Sequence, residues 1–75
     1  MMVAMQDVTP RIVERANDKL GESPTTKVLI YTTSQRQEDA LRHHLPDKKR
    51  VVFSRGKGGD LHPREDRFDL VMDDR

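Results

Sequence analysis

The residues able to carry chemistry in this 75-residue chain are mostly cationic, and they cluster. Residues 35–57 hold seven Lys/Arg (Arg36, Arg42, Lys48, Lys49, Arg50, Arg55, Lys57) against three acids, with His43 and His44 in addition. Residues 58–75 reverse the balance, with six acids against three bases, while residues 1–34 are even at four and four. Sign asymmetry of this kind can mark a binding face. The plainer reading is a small domain whose solvated charges happen to segregate. Within the basic segment, Ser54-Arg-Gly-Lys-Gly-Gly59 is the expected anion contact. Glycines let a backbone approach closely, and Arg55 and Lys57 supply charge to neutralise phosphates. The same composition also suits a loop that merely needs unusual backbone angles. Lys48, Lys49 and Arg50 stand at the other end of the strand that leads into this loop, Val51–Phe53, so the two clusters need not make one patch.

Other chemistries find less support. The phosphate-gripping pattern GxxxxGK[ST] is absent, and so is GxGxxG. A stacking platform for single strands is missing, since Tyr31, Phe53 and Phe68 are the only aromatic residues. Asp73 and Asp74 close a strand, where α/β sheets often place functional carboxylates, and His62 and Glu65 precede them. Nothing in their spacing compels a metal site, so Asp73-Asp74-Arg75 reads as a solvated tail. His43 and His44 point about 100° apart on a helix and share a metal poorly; one is expected on the sheet and one in solvent. Thr33 and Ser34 read as capping residues, because no Ser-His-Asp pattern surrounds them.

The elements that must position these residues are legible from pattern. Residues 9–20 predict a helix: Thr9 is a suitable N-cap, Pro10 fits the first turn, and Val8 and Val13 have staple spacing. Ile12, Val13, Ala16 and Leu20 share its apolar face, and Gly21 supplies a stop. After the polar turn 22–26, Lys27–Thr33 is a continuous apolar run suited to a strand covered on both faces. Ser34 and Gln37 have capping-box spacing for a second helix, with Ala40, Leu41, His44 and Leu45 as its stripe and Pro46 at its end. Val51–Phe53 is a second strand. Residues 60–66 form a charged loop containing Pro63, and Phe68, Leu70 and Met72 alternate with Asp69, Val71 and Asp73 in a third strand. The order α-β-α-β-β gives one small α/β domain over 9–75 behind a tail, 1–8. Two helices pack a three-stranded sheet that is at least partly parallel through a right-handed βαβ unit. A third strand in parallel or hairpin pairing is equally compatible with the pattern.

Composition bounds the rest. With 33% hydrophobic residues and 36% charged, the core is thin. A lone core at this size rarely supplies more than about 3–5 kcal/mol, and no cysteine exists to add a disulfide. Self-association, as a homodimer, or a protein partner is the expected source of further stability. No export signal or apolar run of about 20 residues is present, so a cytoplasmic protein that enters no membrane is expected.

Read together, residues 27–74 resemble part of the nucleotide-hydrolysing core of helicases and phage terminase large subunits. KVLIYTTSQRQEDALRHHL is similar to the strand, Thr/Ser-rich turn and Arg-Gln helix of their second conserved motif, and FDLVMDD to their acidic strand. By that resemblance Asp73 matches the magnesium-binding acid and Asp74 the catalytic acid, where Asp replaces the more usual Glu. Ser34, Gln35 and Arg36 match the turn that contacts a nucleic-acid strand. The family's phosphate-gripping loop and its lysine are missing, so ATP hydrolysis is not implied. What is implied is a reduced α/β remnant, such as a small phage-encoded protein, that keeps a contact surface.

The sequence thus points first to a non-enzymatic binding or regulatory protein acting through protein contacts, with no cofactor and no metal. The alternative is a nucleic-acid-binding accessory protein using Ser34, Gln35, Arg36, Arg42, Lys48, Lys49, Arg50, Arg55 and Lys57. A metal-dependent hydrolase or nuclease using the C-terminal acids is the second alternative.

Overall fold

The computed structural model of the chain describes residues 9–55 and 64–74. The expectations placed on the tail 1–8, on Val8, on Gly56, Lys57, Gly58 and Gly59, and on His62, Pro63 and Arg75 lie outside the described residues. The elements run α1 (Thr9–Leu20), β1 (Val28–Thr32), α2 (Gln35–His44), β2 (Val51–Arg55), a 3₁₀ turn η1 (Glu65–Arg67) and β3 (Leu70–Asp73).

The sheet order is β2-β1-β3, and both pairings are parallel, which settles the open question of the third strand. Its rows are Val28 with Val51 and Leu70, Leu29 with Val52 and Val71, Ile30 with Phe53 and Met72, and Tyr31 with Ser54 and Asp73. Side chains alternate across a sheet, so the rows sort onto two faces. Val28, Ile30, Val51 and Met72 join Ile12, Ala16, Leu41 and Leu45 in one core, with Val13, Leu20, Phe53 and Leu70 packed around it. Both helices therefore cover this face. On the opposite face lie Leu29 and Tyr31, also buried. There η1 contributes, since the Tyr31 hydroxyl donates to Glu65 Oε2 at 2.6 Å. All five residues of β1 are buried, as its unbroken apolar run requires.

Local signals explain the boundaries. Pro10 sits in the first turn of α1, where its missing N–H costs nothing. Gly21 N–H closes the last turn onto the Asn17 carbonyl, and Glu22 pairs with Lys19 beyond it. Ser34 is extended and accepts from Gln37 N–H at 3.1 Å, the N-cap of α2. The stripe of α2 is narrower than expected: Leu41 and Leu45 are buried, with Gln37 and Glu38 half-buried, but Ala40 and His44 are exposed. A helix turns 100° per residue, so Gln37 and Leu45 lie about 40° from Leu41 and Ala40 lies about 100° away, while Glu38 and His44 lie about 60° to either side and the packing falls on the Glu38 side. Both His43 and His44 are consequently exposed, stacked edge to face at 5.3 Å, and neither packs on the sheet. β2 is longer than its apolar residues suggested, because Ser54 and Arg55 continue the ladder beside Tyr31 and Thr32. They are strand residues and not the start of the glycine-rich loop.

Candidate functional site

Parallel α/β sheets take their ligands at the carboxyl ends of the strands, where successive connections leave in opposite directions. Here that point lies between β1 and β3, since the chain leaves β1 towards α2 and β2 and returns to β1's other side. Asp74 fills it. Its backbone N–H donates to the Tyr31 carbonyl at 3.0 Å. Its Oδ2 accepts from the Thr33 amide at 2.7 Å and from the Thr33 hydroxyl at 3.1 Å. The residue is only 8% exposed, and its Oδ1 is buried with no hydrogen-bond partner. Asp74 is therefore a built-in brace of the β1–α2 turn and no solvated tail. The burial follows from its row: one residue beyond Asp73, it falls level with Thr32 and on the helix-covered face. Asp73 itself is exposed.

A second polar centre lies on the flank formed by α2 and β2. Glu38, whose side chain is 14% exposed, accepts from Arg42 Nε at 2.9 Å through Oε2 and from Arg55 Nη2 at 3.3 Å through Oε1. Arg55 Nη2 also donates to Gln35 Oε1 at 3.0 Å, and Gln35 Nε2 donates to Asp39. The Arg42 guanidinium covers the Phe53 ring at 4.8 Å from its centroid. One acid half-buried between two arginines shares out their charge. Sequence reading missed Glu38 because it looked like one more surface acid; its spacing of four from Arg42 was the available signal.

Arg50 points inwards. Its Nε donates to the Thr26 carbonyl at 3.1 Å and its Nη2 to the carbonyls of Leu20 and Ser23 at 2.6 and 2.5 Å. Asp47 stands beside it at 3.7 Å. A guanidinium holds five donors in a fixed plane, and here they gather the end of α1 and the turn before β1. Arg50 is thus committed to the fold through Nε and Nη2, with Nη1 beside Asp47.

Of the expected basic surface, Arg42 and Arg55 come together through Glu38, with Ser34 and Gln35 at the head of α2 nearby in sequence. Arg36 is exposed at that same end, while Lys48 and Lys49 are exposed before β2 starts. Five strand residues, about 13 Å at the usual rise, separate the two ends. Arg42 lies between them, sharing Glu38 with Arg55 and lining one hollow with Lys48, so the described basic side chains are strung along the α2–β2 flank. Among the described residues, no three His, Cys, Asp or Glu side chains are grouped to hold a metal ion. A hollow lined by Arg42, Leu45, Pro46, Lys48 and Val51 has a volume of about 100 Å³, below the ~300–1,000 Å³ of small-molecule sites.

The single tyrosine reports on the opposite face. Its hydroxyl is held above the ordinary value of 10.0 by the hydrogen bond to Glu65, with burial and the Glu65 charge adding to the effect. No helix of the described residues is long and apolar enough to cross a membrane. Comparison with protein-family models, curated proteins and solved structures finds no match to this chain.

Proposed function

We propose that this chain is a non-enzymatic binding protein that works through contacts with protein. The observation that supports the reading is the condition of the sheet. β2 and β3 are its outer strands, and no described residue pairs with the far edge of either. Beside those edges Val52, Phe53, Leu70 and Val71 are only half-buried. An edge strand offers a row of backbone donors and acceptors that another chain can complete. Meanwhile much of the polar capacity suited to small ligands is taken up within the fold: Asp74 Oδ2 by Thr33, Glu38 by two arginines, and Arg50 Nε and Nη2 by three carbonyls.

The nucleic-acid alternative draws on the segment 35–57, in which Arg36, Arg42, Lys48, Lys49 and Arg55 are exposed while Arg50 is turned into the fold. Affinity purification from the cells that make the protein, with and without nuclease, separates the two. Partners retained after nuclease support direct protein contact. Loss of every partner on nuclease treatment overturns it in favour of the basic segment.

A further inference from the structure

We propose that the protein contact is with a second copy of this chain, added head to tail, so that β2 of one copy pairs in parallel with β3 of the next. The proposal deepens the protein-contact reading and rests on it. Three observations carry it.

The first is direction. All three strands run the same way in the order β2-β1-β3. A copy displaced sideways in the sheet plane therefore sets its β2 beside β3 in parallel, with every helix on the same face. The second is the match of rows. In the register that each outer strand already keeps with β1, Val51 stands level with Leu70, Val52 with Val71 and Phe53 with Met72. Ser54 then meets Asp73, and Arg55 meets Asp74. Apolar rows meet apolar rows, and the one basic row meets an acidic one. Two-fold pairing in full overlap is antiparallel; it sets Arg55 level with Val51 in a β2 pair and Asp73 level with Leu70 in a β3 pair.

The third observation is charge and an unfilled acceptor. The described residues on the β2 side, 35–55, carry six Lys/Arg against three acids, whereas residues 64–74 on the β3 side carry five acids against two arginines. The central position of β1 holds these segments at opposite edges, so like copies attract side to side and two-fold copies repel. Asp74 Oδ1 is buried without a partner, at the level where the neighbour's Arg55 arrives. Arg55 spends Nη2 on Gln35 and Glu38, and among the described residues nothing accepts from its Nε or Nη1. Buried carboxylate oxygens are ordinarily hydrogen-bonded, and Arg55 is the donor that pairing brings to this level, reaching Oδ1 once the Asp74 side chain turns towards the β3 edge.

Sedimentation velocity over a concentration series tests the proposal. The wild-type chain should form an open series beyond the dimer and shift towards monomer as salt is raised. Arg55→Asp sets a carboxylate beside Asp74 and should weaken association by roughly tenfold or more. Mixed in excess with wild type, this variant still offers an intact β3 edge, so it should cap growth at short mixed species. Circular dichroism establishes that the variant is folded. As a measurement that needs no variant, amide exchange on the wild type should show β2 and β3 both gaining protection with concentration. Assembly that stops at a dimer, protection at one edge only, or unchanged assembly of Arg55→Asp overturns the head-to-tail arrangement. A monomer at all concentrations that still retains nuclease-resistant partners defeats this inference alone; a monomer without such partners defeats the protein-contact reading as well.

Discussion

Replacing Arg50 with Met should be the most damaging change available at any position the sequence presents as basic. The side chain makes three hydrogen bonds to main-chain carbonyls, on Leu20, Ser23 and Thr26. A typical intramolecular bond contributes a net ~0.5–1.5 kcal/mol, and one from a charged donor about 1.5–3 kcal/mol. The Arg50 side chain is 25% exposed, so water recovers part of the loss, and about 1 kcal/mol per bond is the appropriate scale. The total is roughly 3 kcal/mol. Asp47 adds little, because an exposed ion pair contributes about 0–1 kcal/mol. In a domain of this length 1 kcal/mol moves Tm by about 4–8 °C, so Arg50→Met should lower it by roughly 12–24 °C. Arg50→Lys keeps the charge but cannot span three carbonyls in one plane, and it should lose about two-thirds as much. Urea unfolding followed by circular dichroism measures both. A loss under about 1 kcal/mol for Arg50→Met, or equal stability of the Lys and wild-type forms, would refute the clamp and return Arg50 to the surface.

Because the chain has one tyrosine and no tryptophan, alkaline absorbance titration reads Tyr31 alone. Its midpoint should lie above 10 and fall towards it in Glu65→Gln. The sign for stability follows: a raised folded pKa stabilises fully below the unfolded value near 10 and is lost as pH rises through the folded one. Tyr31→Phe should therefore be less stable than wild type at pH 8, with the gap closing in more alkaline solution. Ser34→Ala removes the α2 cap and should cost about 1 kcal/mol in urea unfolding. Leu41→Ala empties a fully buried position and should cost about 2–5 kcal/mol, enough to leave the chain largely unfolded by circular dichroism.

Periodicity made the elements readable because each must bury an apolar face. The α1 range, the β1 run and the Ser34 cap follow from side chains adjacent in sequence, and the structure keeps all three. Arg50, Glu38 and Asp74 could not be read this way. What distinguishes Arg50 from Lys49 is a partner 24–30 residues earlier, and Asp74 looked solvated because its partner, Thr33, lies 41 residues upstream. Charge type was visible in the sequence, whereas the occupancy of each charge depended on the order β2-β1-β3. The direction of β3 was illegible for the same reason, since a long connection suits either pairing.

That order has a consequence during synthesis. Val28 finds its β2 neighbour, Val51, 23 residues later, but its β3 neighbour, Leu70, only after 42. At about 5–20 residues per second, a ribosome takes roughly 2–8 s to cover the longer interval. Throughout it, one whole edge of the most apolar strand stands unpaired on the nascent chain. Crowding by neighbouring ribosomes on one message should act at that edge, and slowing translation between Arg55 and Leu70 should lower the yield of folded protein more than slowing it anywhere earlier.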